Sequence, residues 1–191
     1  MALLVEAFES ASRLGLRAEM WNTSNYIQSI ALDYEDLALA SEWSPVFKEL
    51  ADDATVHALR VADHTFFSAR IEYLRGELEH ARALLDRALD LQTALPRVRG
   101  EQAILALDIM IRLGQDQKIP RRVLTRLHRL HLNSRDSGLR DFEAAALFAG
   151  LSATGRSKEA IVLLGDYLKV RRIRLPFHST LANVVRTLVS E

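Results

Sequence analysis

The chain has 191 residues, of which 49% are hydrophobic, and carries 25 basic and 25 acidic side chains and no cysteine. Without cysteine it can form neither a disulfide framework nor a zinc site built on thiolates. Its apolar runs are shorter than the roughly 20 residues of a membrane helix, and the first residues lack the basic start of a secretory signal. We therefore expect a soluble, cytoplasmic protein with enough apolar residues for a core.

The neutral total conceals two regions of opposite charge. Residues 1–55 hold three basic and ten acidic side chains, whereas residues 97–140 hold ten basic and four acidic ones. In an elongated fold such a separation would steer charged partners towards one end. The alternative is that these charges only keep the outer faces of helices in water.

Apolar residues recur at spacings of three and four along the whole chain, which is typical of amphipathic helices. In chain order the predicted helices lie near 2–14, 18–32, 36–50, 55–75, 77–92, 98–113, 120–133, 139–154, 157–171 and 177–190. No segment alternates with the period of two expected of strands, so the fold class is all-α, with about ten helices. Pro96, Pro120 and Pro176 fall near helix starts, but Pro45 predicts a kink or break inside the third helix.

A short signature recurs between pairs of predicted helices. Gly76 is followed five residues later by Ala81, and Gly155 is followed in the same way by Ala160. Weaker copies begin at Asp33 and Gly114, which gives spacings of 43, 38 and 41 between first residues. Glycine suits the tight turn because it adopts positive φ without penalty, and the small residue lets the second helix approach the first. The period predicts a helical repeat.

The fullest copy of the pattern resembles the tetratricopeptide repeat family. It consists of Ala69, Tyr73, Gly76, Ala81, Leu85 and Ala88. A partial copy consists of Phe148, Gly155, Ala160 and Leu164. The resemblance covers most of residues 18–190, although the period exceeds the usual 34 or so. In this respect the chain is similar to the divergent repeats of bacterial signalling proteins.

The resemblance implies a right-handed superhelix of antiparallel helix hairpins, forming one domain over residues 1–191. The implied hairpins lie near 18–50, 55–92, 98–133 and 139–171, with an N-terminal helix at 2–14 and a capping helix at 177–190. In this family the first helix of each hairpin lines a groove that binds a peptide or protein segment. The implied function is therefore a non-catalytic binding module, a sensory or scaffolding part of a larger regulatory protein in bacteria.

Candidate groove residues follow from this resemblance. The best-matched repeat contributes Asp63, Phe66, Arg70 and Tyr73, and the next repeat contributes Glu101, Asp108 and Arg112. One repeat earlier, Asn22 and Asn25 lie beside Trp21 and Tyr26, and asparagine side chains can hold a peptide backbone. Two alternatives remain: Trp21 and Tyr26 belong to the core, or the acidic and basic groove residues satisfy one another.

The sequence offers no catalytic motif. Asp53, His57 and His64 are spaced along one helix and His128 and His131 along another, but neither group supplies the three or four ligands of a metal site. The glycines are too scattered for a phosphate loop, and Gly-x-Ser-x-Gly does not occur. We therefore expect neither an enzyme nor a bound metal or cofactor.

Two further hypotheses concern partners. The first helix is apolar at Leu3, Leu4, Ala7, Phe8 and Ala11, which indicates either a fragment of a longer chain or a homodimer formed through this helix. Arg122, Arg126 and Arg129 form a basic face that could bind single-stranded nucleic acid, and residues 142–188 also resemble an RNA-binding pentatricopeptide repeat. The absence of aromatic residues between Tyr73 and Phe142 argues against nucleic acid.

Overall fold

A computed structural model describes residues 1–52, 58–93, 100–133, 141–170 and 179–190. The helices are α1 (Ala2–Arg13), α2 (Arg17–Asp33), α3 (Leu37–Ala51), α4 (Ala58–Arg75), α5 (Leu78–Thr93), α6 (Glu101–Gly114), α7 (Arg121–Asn133), α8 (Asp141–Ala153), α9 (Ser157–Val170) and α10 (Ser179–Ser190). The described residues contain no strand, which confirms the all-α class. Helix ends agree with the predicted ones within three residues. The starts predicted at 55, 98, 139 and 177 lie outside the described residues.

The described residues form two compact units, Met1–Val98 and Arg99–Glu191. In the first unit each helix packs against the next, and α2 also contacts α4. Its core includes a stack of Trp21 on Phe47, with ring centroids 4.1 Å apart. Phe67 of α4 lies 5.5 Å from the Phe47 ring, and Phe8 of α1 meets Trp43 edge-on. Such aromatic pairs stabilise a core beyond the apolar area they bury.

The second unit is arranged around α8. This helix contacts α6, α7, α9 and α10, so neighbours surround it. Its sequence is accordingly apolar on nearly every side, and Glu143 is the charged exception among its buried residues. The buried residues are Phe142, Glu143, Ala144, Ala145, Ala146, Leu147, Phe148, Gly150 and Leu151. In both units, then, helices pack on their neighbours and on the helix two places along, which is consistent with a helical repeat.

Five helix-to-helix turns share one geometry. Each contains a residue with left-handed backbone, namely Gly15, Glu35, Gly76, Asp116 and Gly155. In each, the amide of the next residue donates to the carbonyl five positions before it, over 2.8–2.9 Å. This is the Schellman motif, which satisfies carbonyl groups left unpaired where a helix ends.

The repeated turn corrects the predicted register of two signatures. The left-handed residues are Glu35 and Asp116, each two positions after the Asp33 and Gly114 chosen from the sequence. Measured between left-handed residues from 35 onwards, the repeat period is 41, 40 and 39. The sequence pattern misplaces these two turns because an acidic residue, not glycine, takes the left-handed position in them. In the first of them the small residue is then Ala40, which is completely buried, like Ala81 and Ala160.

Helix α3 continues through Pro45, so the break predicted there is wrong. Proline removes one helical hydrogen bond, which alone costs about 3 kcal/mol. On either side of it, however, Trp43, Phe47 and Leu50 are buried against neighbouring helices. Burial of each such side chain contributes about 1.5–3 kcal/mol, which offsets the missing bond.

Candidate binding surface

The exposed side of α2 carries a polar stripe, which we define by Asn22, Tyr26, Ser29 and Asp33. Successive members are three or four residues apart, so they lie above one another on one helical face. Asn22 is exposed, and Tyr26 has 65% of its surface in solvent. Asn25 lies beside this stripe and is half-buried. The two asparagines predicted as ligands are therefore close to an accessible aromatic ring.

The structure separates the two aromatic residues of this segment. Trp21 is 5% exposed and stacks on Phe47, and the Arg60 guanidinium lies 5.0 Å from its ring centroid. Trp21 therefore belongs to the core, as one alternative held. For Tyr26 the same alternative is wrong, because its ring lies on the surface.

Arg70 of α4 connects this helix to α2. Its guanidinium donates to Oδ1 of Asp33 over 3.1 Å and to the Leu32 carbonyl over 2.9 Å. Arg70 is 3% exposed and Phe66, also predicted in the groove, is 8% exposed. A partner would have to displace neighbouring side chains to reach either one. Arg70 instead joins α4 to α2, and Phe66 belongs to the core.

Asp63 and Tyr73, the other groove candidates on α4, are half-buried and partly accessible. Burial raises the pKa of Tyr73 to about 12, and the negative charge of Glu35 acts in the same direction, while Arg70 opposes it. The phenol is therefore neutral at physiological pH and can donate a hydrogen bond. Together with the polar stripe, these residues give the α2–α4 side of the first unit an aromatic and acidic character.

The candidates in the second unit are engaged in ion pairs within it. Glu101 accepts two hydrogen bonds from Arg126 of α7, over 2.7 and 2.9 Å. Asp108 is 6% exposed and accepts from Nε of Arg112 over 3.0 and 3.1 Å. The alternative that acidic and basic groove residues satisfy one another thus describes Asp108 and Arg112.

The histidines sit in two separate environments. Burial lowers the pKa of His64, with Asp52 opposing this shift and Lys48 and Arg87 reinforcing it. Burial also lowers the pKa of His131, aided by the nearby His128. No three metal-ligating side chains converge within the described ranges, while Asp53 and His57 lie outside them.

The apolar side of α1 is used in part inside the first unit. Ala11 is buried, and Phe8 packs edge-on against Trp43 at a centroid distance of 5.0 Å. Leu3, by contrast, is 80% exposed, and Leu14 just after the helix is 72% exposed. The apolar surface left for a homodimer is therefore smaller than the sequence pattern predicts.

On α7 the three predicted arginines do share an exposed face. Arg122 and Arg129 are exposed, as is Arg126, whose guanidinium is paired with Glu101. Arg121 adds a fourth exposed cation, and no aromatic residue accompanies them on this helix. The face can attract anions but lacks rings on which bases would stack.

Sequence reasoning missed a hollow of about 370 Å³ between α3 and α4. Its polar lining consists mainly of Ser41, Ser44, Lys48, His64, Ser68 and Arg75. The signal was present in the sequence, because the α3 residues are three and four apart and the α4 residues are four and seven apart. Each set therefore lies on one helical face, but nothing in the sequence showed that the two faces meet.

Comparison with models of protein families, with curated proteins and with solved structures finds no match to this chain. As for membranes, each described helix is too short or too polar to cross a bilayer.

Proposed function

We propose that the chain is a non-catalytic, tetratricopeptide-like repeat module whose first unit binds a basic, extended peptide segment along the polar stripe of α2. The exposure of Asn22 and Tyr26 on one face of α2, a helix that contacts α4, carries this proposal. The module would be a sensory or scaffolding part of a bacterial regulatory protein, and its hairpins would continue as one right-handed superhelix.

The repeated turn supports the repeat architecture. A left-handed residue recurs with a period of 41, 40 and 39, and three of these turns are followed by a completely buried alanine. Local geometry, turn hydrogen bonding and small-residue packing thus repeat together. This combination is expected when each hairpin is a copy of one supersecondary unit.

Charge and side-chain chemistry support a basic partner. Residues 1–52 contain nine acidic side chains and three basic ones. Within the surface itself, Asp63 lies on α4, and Glu35 lies close enough to Tyr73 to affect its pKa. Asparagine amides can pair with a peptide backbone, while the Tyr26 ring can cover a lysine or arginine side chain.

The test is a binding assay against an array of extended peptides whose net charge varies. We expect cationic peptides to bind, salt to weaken them, and Tyr26→Ala to reduce affinity by about tenfold, or 1.4 kcal/mol. Val162→Ala in α9 is the matched control, since Val162 is 64% exposed but lies in the second unit. Equal affinity of both variants, or a preference for acidic peptides, would refute the proposal.

A second candidate is binding of single-stranded nucleic acid, favoured by the exposed Arg122, Arg126 and Arg129 of α7. Titration with a mixed single-stranded RNA at two salt concentrations tests it. Affinity that falls steeply with salt and is reduced in Arg122→Gln and Arg129→Gln would support this candidate, because such contacts release counterions. Insensitivity to both substitutions would eliminate it.

A further inference from the structure

The hollow between α3 and α4 combines cations with neutral hydrogen-bonding groups. Lys48 of α3 is exposed at its edge and lies close enough to His64 to influence its pKa. On α4, the Arg75 guanidinium is held in place by bonds to Oγ of Ser41 over 3.0 Å and to Oε1 of Glu72 over 2.7 Å. The two helices thus present positive charge to the same space.

Counted over the residues that line it, this hollow carries one excess positive charge, while Asp52 lies outside the lining but near enough to His64 to act on its pKa. Lys48 and Arg75 are the cations, and Glu72 is the carboxylate that also lines it. The Glu72 carboxylate is already occupied, because one oxygen binds Arg75 and the other lies 3.3 Å from Nδ1 of His80. An excess of one positive charge suits a monoanion better than a doubly charged phosphate.

Neutral groups complete the lining. Ser68 Oγ donates to the His64 carbonyl over 3.0 Å and lies 3.5 Å from His64 Nε2, which fixes the imidazole next to the hydroxyl. Because burial lowers the pKa of His64, its ring is neutral near pH 7 and offers one N–H. Pro45 and the buried Ile71 provide apolar walls. The volume of about 370 Å³ lies within the range of small-ligand sites.

We infer that this hollow binds the carboxylate of a small organic acid. Lys48 and the hydroxyls of Ser41 and Ser44 hold the carboxylate oxygens, and Pro45 and Ile71 contact the hydrocarbon part of the acid. The site shares no residue with the polar stripe of α2, so it is independent of peptide binding there. The cation at its edge is one of only three basic residues in the segment 1–52, which makes the hollow a local exception in an acidic region.

The experiment follows the His64 ring protons by NMR during titration with benzoate, butyrate and the neutral analogue benzamide. We expect saturable shifts with both acids and none with benzamide, and a higher pKa of His64 in the acid-bound protein, since the anion favours the imidazolium. Lys48→Gln should weaken benzoate binding about tenfold, because it removes a charge-assisted contact. Lys158→Gln, at an exposed lysine of α9, should leave it unchanged.

Two further titrations, with peptides, test whether the site also accepts the carboxylate of a polypeptide C-terminus. An acetylated tri-alanine with a free C-terminus is compared with its C-terminal amide. If only the free acid binds, the site accepts a polypeptide C-terminus as well as a small acid, and if neither binds, it selects small acids; both results agree with the inference. Absence of saturable His64 shifts with benzoate and butyrate, equal shifts with benzamide, or full affinity in Lys48→Gln would overturn it.

Discussion

Helices α4 and α8 each contact at least three other helices of their own unit, yet they are stabilised differently. α4 contacts α2, α3 and α5, and buries Thr65 and Arg70 among its apolar residues. α8 contacts four helices and buries an almost continuous apolar run with three successive alanines, Ala144 to Ala146. The position of a helix in this chain can therefore be held either by a buried polar bond or by close approach of small residues.

The two kinds of contact determine the alignment of neighbouring helices in different ways. The bonds from Arg70 to Asp33 and to the Leu32 carbonyl favour one alignment of α4 along α2, since a shift of either helix would break these two bonds of a buried guanidinium. In the second unit, a Cβ on Gly150 would lie 3.0 Å from Cδ1 of Leu124 and 3.2 Å from Cγ2 of Ile109. There the alignment is set by the shape of the contact.

The largest expected effect is on the polar contact. Arg70→Ala should lower the free energy of unfolding of the first unit by about 3–5 kcal/mol, because it leaves the Asp33 carboxylate and the Leu32 carbonyl without this donor. Arg87→Ala, at an exposed arginine of α5, should change it by less than about 0.5 kcal/mol. Chemical denaturation measures the free energy of unfolding of both variants. A loss below about 1 kcal/mol in Arg70→Ala would show that this contact contributes little to stability.

The close contact of α8 should respond to added volume. Gly150→Val should destabilise the second unit by about 1–3 kcal/mol, because the new methyl groups meet Leu124 and Ile109. Gly165 of α9 has no atom within 4 Å of its Cβ position, so Gly165→Val should be neutral or slightly stabilising. Hydrogen exchange of the α8 amides distinguishes the variants, and equal protection in both would contradict close packing at Gly150.

Alkaline pH should affect the α2–α4 contact through Tyr73. Its phenol ionises near pH 10 when unfolded and at about 12 when folded, so stability present below pH 10 is lost as the pH rises towards 12. The loss is about 2 kcal/mol and should be absent in Tyr73→Phe. Chemical denaturation at intervals between about pH 9 and about pH 12 measures the difference, and identical curves for the two proteins would contradict the burial of this phenol.

The smallest expected effect concerns the shared turn. Asp116→Gly should raise the free energy of unfolding of the second unit by up to about 1 kcal/mol, because glycine adopts φ near +52° without strain. Gly76→Ala should lower that of the first unit by a similar amount, although its Cβ position is open. Thermal denaturation compares them, and changes of the same sign would show that backbone strain is not the common determinant.

Helix positions could be predicted from the sequence because burial imposes a period on apolar residues, as in α5, where Ala81, Leu85 and Ala88 are all completely buried. The left-handed residue was predicted at Gly76 and Gly155, whereas the turn at Gly15 was not among the predicted signatures. The turn positions were misplaced at Glu35 and Asp116, because a single acidic residue carries no sign that its backbone is left-handed.

The candidate surface was less predictable. Asn22 is exposed, but nothing in the sequence distinguishes Tyr26 on the surface from Trp21 in the core. Arg70 looks like a groove cation until its contact with Asp33, 37 residues away, is known. The hollow at Lys48 and His64 could not be predicted for the same reason, because it depends on how α3 packs against α4.

The five Schellman turns have a consequence for how the chain reaches its native state. Each is closed by a bond between residues only five positions apart, and each connects helices that follow one another directly. Contacts between sequence neighbours require little loop closure, so chains dominated by them fold quickly. We expect several hairpins to nucleate independently, with longer-range contacts such as Arg70–Asp33 forming afterwards and selecting the final register.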